Sequence, residues 1–234
     1  MRGDQDTDAE LLAEQQRYYE ARAPIYDQLY LRQGRYVVDD AAWTANWHRE
    51  TGELERFVQA LPADGSVLEL APGTGLWTRF LAPRARHLVA VDGSPAMLER
   101  NHALRDGDRI HSVEADLFAW EQDERFDLIF TGFFLSHIPP GRWADFWGKV
   151  AGWLAPGGVL AFVDDSWGAD RPSSSERVEG GPDHAHIRLL DDGPYTIVKR
   201  FFRPHELEAE FAAVGFTAEV GSTGEHFLYG TARA

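Results

Sequence analysis

Residues 67–75, Val-Leu-Glu-Leu-Ala-Pro-Gly-Thr-Gly, decide the fold. An apolar strand runs straight into a Gly-rich turn, and a helical pattern begins at about Leu76. Such a turn lets a ligand approach bare backbone at the carboxyl end of a strand, which is where open α/β sheets bind their ligands. Seventeen residues after Gly75, at the end of a second apolar run, stands Asp92. An acid in that position accepts hydrogen bonds from ribose hydroxyls, so the two features together point to an adenosine-containing cofactor. The dinucleotide fingerprint is incomplete, because its third glycine is replaced by Thr78 and the bulky Trp77 stands beside it. No Lys follows the glycines as a phosphate loop requires. Glu69, just ahead of the turn, suits a positively charged group such as an amino acid ammonium and disfavours pyrophosphate.

Outward from this stretch the chain alternates. Short apolar runs at 66–71, 87–91, 110–113, 126–131 and 158–164 read as strands, and 76–82, 95–104 and 141–154 read as helices. Repeated βα units imply a parallel sheet covered on both faces. Upstream, 9–31 reads as a helix that Pro24 kinks or restarts. Residues 40–60 read as a second helix, with Trp43, Trp47, Leu54, Phe57 and Val58 at helical spacing. Downstream, 168–184 is rich in Ser, Gly, Pro and charge and reads as a mobile insertion. Segments 186–191 and 195–202 flank Asp192-Gly193-Pro194 like a hairpin. A helix at 204–213 and strands at 216–220 and 226–231 complete the chain. Residues 1–62 are expected to form an N-terminal tail and helical lid. Residues 63–234 are expected to form one core, with a hairpin insertion at about 168–202.

The chain has 234 residues, of which 44% are hydrophobic, and a formal charge of −15. That is one domain with a sizeable core, and it excludes a disordered protein. The acidity disfavours nucleic acid and anionic lipid as partners. The charge lies in three stretches, 1–14, 106–127 and 164–193, carrying −4, −6 and −5. There is no cysteine, so disulfides, thiolate nucleophiles and Cys-based zinc sites are excluded. The amino terminus lacks the pattern of a signal peptide, and no apolar run approaches the ~20 residues of a membrane span. A cytoplasmic location is expected.

At this point the resemblance is plain. The chain resembles the class I S-adenosylmethionine-dependent methyltransferases of the small-molecule type, over roughly residues 18–165. The resemblance implies a Rossmann-like, doubly wound α/β fold. Its seven-stranded sheet is mostly parallel, the last strand is antiparallel, and the hairpin is inserted after strand five. Glu69-Leu-Ala71-Pro-Gly73-Thr74-Gly75 resembles the motif that holds the methionine end of the cofactor, with Ala71 in place of the usual first glycine. Asp92 resembles the ribose-binding acid. In Val113-Glu-Ala-Asp116-Leu117-Phe118, Asp116 would meet the adenine amino group. Phe133 lies in the loop that would face the methyl donor, and Trp77, Gly93 and Met97 complete the expected cofactor contacts. Tyr18, Arg22 and Tyr26 resemble the lid residues of such relatives, one of whose tyrosines reaches the methionine moiety.

The cofactor brings a reactive sulfonium methyl, so the protein must align the acceptor and exclude water. His137 is the candidate general base and Tyr19 the candidate orienting hydroxyl. Trp43, Trp47, Phe134, Asp165 and Trp167 are candidate acceptor contacts, since aromatic walls suit planar or cationic molecules. Trp143, Trp147 and Trp153 are expected in the core. No metal is expected, although His184, His186 and Asp183 lie close in sequence. The expected acceptor is a small aromatic or amine-bearing metabolite of secondary metabolism, with indoles among the options and C-, N- or O-methylation open. The acidic stretch after strand five is a hint toward a cationic acceptor. The alternatives are an RNA or protein methyltransferase and a non-catalytic cofactor-binding module. A monomer and a homodimer both remain open.

Overall fold

In a computed structural model of the chain, residues 2–105, 109–167, 176–177 and 182–234 are described. The helices are α1 (Arg2–Arg22), α2 (Tyr26–Leu31), α3 (Ala41–Ala60), α4 (Thr78–Leu81), α5 (Pro95–Arg100), α6 (Pro140–Trp153) and α7 (Pro204–Ala212). The first five strands are β1 (Ser66–Leu70), β2 (His87–Asp92), β3 (Ile110–Glu114), β4 (Phe126–Gly132) and β5 (Leu154–Asp165). They are followed by β6 (Glu176–Arg177), β7 (Ala185–Leu190), β8 (Gly193–Val198), β9 (Thr217–Ser222) and β10 (Phe227–Arg233). Seven strands form one sheet in the order β3-β2-β1-β4-β5-β10-β9, and β10 runs antiparallel to both neighbours. This is the Rossmann-like architecture that the family resemblance implies, with the parallel sheet that the alternating pattern implies.

The strand order reverses between β1 and β4, which opens a crevice at the carboxyl ends of both. Val67, Leu68 and Leu70 in β1 and Leu128, Ile129 and Phe130 in β4 are completely buried, as central parallel strands covered on both faces must be. One apolar layer lies under α6 and α7, where Trp143, Trp147, Trp153 and Phe211 pack together as core. The other lies under α3, built on Trp47, Leu54 and Val58. Among the described residues, no helix is long and apolar enough to cross a membrane.

Several elements differ from the reading of the sequence. The acidic stretch expected to be a tail is helical from Arg2 onward and belongs to α1. As expected, Pro24 restarts the helix, within a single 3-10 turn at Ala23–Ile25. α4 is only four residues long, because Ala71, Gly73 and Gly75 all take left-handed backbone before it. The hairpin turns at Asp191 and Asp192, since Gly193 and Pro194 already pair with Leu190 and Leu189. β6, inside the stretch read as a mobile insertion, adds a third strand to that hairpin. The rest of that stretch, 168–175 and 178–181, lies outside the described residues.

α3 is anchored to the sheet edge by one carboxylate. Glu50 is completely buried and accepts from the Thr223 hydroxyl and from the backbone N–H groups of Glu225 (3.1 Å) and His226 (2.8 Å). Burial works to raise its acidity constant, but these bonds hold it below the ordinary carboxylate range. Replacing Glu50 by Ala strands those donors in the interior. We expect Glu50→Ala to lower unfolding free energy by about 2–4 kcal/mol in urea titrations.

Candidate active site

The turn after β1 is held open by Asp92 at the end of β2. One carboxylate oxygen accepts from Gly73 N (2.9 Å) and the other from Ser94 N (2.9 Å). Ser94 in turn caps α5 by accepting from Met97 N. Burial raises the Asp92 pKa to about 6, against the pull of the Ser94 and Gly73 N–H groups. A carboxylate has about four acceptor positions, so Asp92 retains capacity for further donors. Gly75 permits no side chain: its φ is +95°, and a Cβ would meet Asn101 Oδ1 at 2.3 Å.

Glu69 lies one strand away, completely buried in β1. Neither carboxyl oxygen meets a donor in hydrogen-bonding geometry. Burial pushes its pKa up to about 8, and the nearby Thr78 hydroxyl only moderates the shift. An unpaired interior carboxyl is costly unless a cationic group completes it.

α1 covers the crevice through polar contacts. Leu11, Gln15, Tyr18 and Arg22 form its buried stripe. Gln16 donates to Gly93 O (2.6 Å), and Glu20 accepts from the Ser94 hydroxyl. Gln15 accepts from Val198 N in β8 (3.0 Å), and Glu14 accepts from Thr196 N (2.9 Å). Just past α1, Asp27 accepts from the Thr74 hydroxyl (2.5 Å). His137 is buried between helix and hairpin. Its Nδ1 lies 2.6 Å from Val198 O, a pure acceptor, so that nitrogen carries the proton. Nε2 therefore accepts from the Tyr19 hydroxyl at 2.7 Å.

Two adjoining cavities lie beneath this cover. The first, about 360 Å³, is lined by Gly73, Asp92, Met97, Asp116, Leu117 and Phe118 among others. The second, about 300 Å³, is lined by Tyr18, Arg22, Tyr30, Trp47, Arg188 and Lys199 among others. They share Tyr19, Tyr26, Phe133 and His137 as a common wall.

A family model described as "Methyltransferase domain" matches residues 46–219. The chain belongs to the class I S-adenosylmethionine-dependent methyltransferases. The ubiquinone biosynthesis O-methyltransferase of Xylella fastidiosa (strain 9a5c) is 31% identical over 198 residues, which is 76% of each chain. The trans-aconitate 2-methyltransferase of Escherichia coli O1:K1 / APEC is 34% identical over 105 residues, covering 43% of this chain and 40% of that protein. A solved DhpI–SAH complex superposes with a TM-score of 0.74 at 34% identity, covering 95% of this chain and 96% of that one. A DhpI–SAM–HEP complex gives 0.73 at 35%, covering 96% and 98%.

In this methyltransferase the Asp92 edge of the first cavity fits a ribose; Glu69 lines neither cavity, and its unmet carboxyl oxygens in the strand leading to the turn would suit the cofactor's ammonium. Ala71, Gly73, Asp92, Gly93, Met97, Asp116, Leu117, Phe118 and Phe133 all line the first cavity. Other expectations need correction. Tyr18 and Arg22 line the second cavity, not the first, because the buried stripe of α1 faces the hairpin there. Tyr26 borders both. Trp77 lines neither cavity: its indole packs on Tyr30, Phe130 and Phe133, over Gly132. Thr74 and Gly75 shape the turn without lining either cavity.

Among the acceptor candidates, Trp47 and Asp165 line the second cavity. Trp43 stacks outside Trp47 instead. Phe134 lines the cofactor side and packs on Phe118 and Phe146. Trp167 is 47% exposed beneath Arg203, away from both cavities. Asp164 and Asp165 are answered by Lys199, at 3.9 and 2.6 Å, so these two acids do not present a free negative wall. Sequence reasoning missed Arg188, Lys199, Arg35 and Tyr30 in the cavity and Gln16 and Glu20 in the cover. Their isolated positions in the sequence carry no motif.

Glu69 generates a prediction about protons. At pH 7 a carboxyl with a pKa of about 8 is mostly neutral in the free protein. An ammonium favours its ionised form, so binding S-adenosylhomocysteine should expel a proton below pH 8. Affinity should then rise as pH rises toward 8, by up to about tenfold per unit. Asp92 acts in the same direction near pH 6. Calorimetry in buffers of different ionisation heat measures the proton count. Binding without proton release at pH 7, or no loss of release in Glu69→Gln, would sink the pairing.

Proposed function

We propose that this protein transfers a methyl group from S-adenosylmethionine to a small metabolite bound in the second cavity. The observation that carries this reading is the shared wall of Tyr19, Tyr26, Phe133 and His137 between the two cavities. When bound, the cofactor supplies an electrophilic methyl on a sulfonium, whose C–S bond breaks as the acceptor's lone pair forms the new bond. Glu69, Gly73, Asp92 and Asp116 are the residues we assign to holding it. The protein's own work is to align the acceptor and keep water out. α1 does the second by closing over both cavities.

Tyr19 and His137 do the first. Burial, with Lys199 adding to it, drives the His137 pKa well below the usual imidazole value, and burial drives the Tyr19 pKa well above the usual phenol value. The pair is therefore neutral at pH 7, with the Tyr19 proton directed at His137 Nε2. The Tyr19 oxygen is then an acceptor of fixed position for a donor on the incoming molecule. His137 positions that oxygen rather than meeting the acceptor as a free base.

Tyr19, Tyr26, Tyr30, Trp47 and Phe227 line the second cavity and support a planar or aromatic portion in the acceptor. The cationic lining counts against the amine-bearing acceptor expected from the acidic stretch. Oxygen acceptance is favoured by the relative named as an O-methyltransferase. A role in secondary metabolism and a cytoplasmic location fit this reading and form part of the proposal.

Mass spectrometry of products from a panel of phenols, carboxylic acids, indoles and amines tests the reading. Methylation of a small molecule is expected, and transfer only to RNA or protein would overturn it. Tyr19→Phe should lower kcat by about 10–100-fold through lost alignment, while binding of S-adenosylhomocysteine changes less than about threefold.

A further inference from the structure

The second cavity contains more positive charge than the protein pairs. Its charged lining is Arg22, Arg35, Arg188 and Lys199, against Asp165 alone, in a chain of net charge −15. Lys199 is answered by Asp165 at 2.6 Å, and Arg35 by Asp191 at 3.2 Å on the rim. Arg22 and Arg188 remain.

Arg22 is 7% exposed, and its Nε has no hydrogen-bond partner. The guanidinium lies over the rings of Tyr26 (4.9 Å) and Tyr18 (5.6 Å) and makes no ion pair with any described residue. Arg188 projects from β7 of the inserted hairpin and likewise makes no ion pair with any described residue. Burial holds the Arg188 pKa below the usual guanidinium value, and the positive charge of Arg22 adds to the effect, partly offset by Tyr18, Tyr19 and Asp165. Two neighbouring cations whose one acid among the described lining, Asp165, is already bound to Lys199 are costly in a buried site, and planar guanidinia match oxyanions bidentately. An amine-bearing acceptor would add a third positive charge to the same space.

We propose that the methyl acceptor carries an oxyanion, a carboxylate or a phosphate-type group, held in the second cavity by Arg188 and Arg22. The inference rests on the second cavity being the acceptor site of a methyltransferase. Arg22 stacks on Tyr26, which lines both cavities. Arg188 lines only the second cavity, so it separates acceptor recognition from cofactor binding.

The test uses the full chain and four probes of similar shape: benzoate, phenylphosphate, benzyl alcohol and benzylamine. Calorimetry first measures S-adenosylhomocysteine binding, and its absence would overturn the methyltransferase reading itself. Each probe is then titrated into the protein with and without S-adenosylhomocysteine, so that the anion site is tested whatever the first result. The inference expects one or both anions to bind, with the neutral and cationic probes at least about tenfold weaker. Binding of benzoate alone identifies a planar carboxylate site, and phenylphosphate alone a tetrahedral one. Arg188→Gln should weaken the bound anion by about tenfold or more, with S-adenosylhomocysteine affinity unchanged. Arg188→Lys should recover part of the loss, which separates recognition of charge from damage to the hairpin. Equal binding of benzylamine, no anion binding, or unchanged anion affinity in Arg188→Gln would overturn the inference.

Discussion

The Asp92 carboxylate is the interaction on which the rest of the site depends. It grips Gly73 N in the turn after β1 and Ser94 N at the start of α5, so it ties the ends of two adjacent parallel strands into one rim. Backbone that would otherwise lack partners is satisfied there, and the left-handed turn at Ala71, Gly73 and Gly75 is held in shape. The cover is built on the same rim: Ser94 donates to Glu20 of α1, and Gly93 O accepts from Gln16. One acid thus shapes the cofactor cavity and, through its neighbours, the place where α1 sits.

The way α1 is held has chemical consequences. Much of its attachment is by polar side chains, Glu14, Gln15, Gln16 and Glu20, reaching backbone groups of β8 and of the segment around Ser94. Hydrogen bonds exchanged with water contribute only modest net stability, so such a cover opens and recloses more readily than an apolar one. That suits a site whose product must leave. When closed, it places the Tyr19 hydroxyl against His137 and completes the wall common to both cavities.

Electrostatics separates the two chambers. The first cavity carries acids, Asp92 partly engaged and Asp116, with the unpaired Glu69 buried nearby in β1. The second cavity carries cations, with Lys199 occupied by Asp164 and Asp165. A cationic sulfonium on one side and an anion on the other would be drawn to the wall between them. The global charge of −15 is a poor guide here, because it describes the surface and the local field is set by a few buried groups.

The βα alternation, the Gly-rich turn, Glu69 and Asp92 were legible in the sequence because each is a local pattern: strand period, turn chemistry, and a fixed spacing along one βαβ unit. The same holds for Asp116 to Phe118 and for the core positions of Trp143, Trp147 and Trp153. What the sequence could not reveal is which side chains from distant segments share a cavity. Trp77 sits within the motif yet points into the core, and Trp167 neighbours site residues in sequence but lines neither cavity. Arg188 and Lys199 lie 166 and 177 residues beyond Arg22, and only the folding of the hairpin onto α1 brings the three together. The sequence by itself determined the fold and the cofactor. The tertiary structure alone decided the second cavity, because its character comes from charges brought together from distant segments, and pairing is a property of contacts in space.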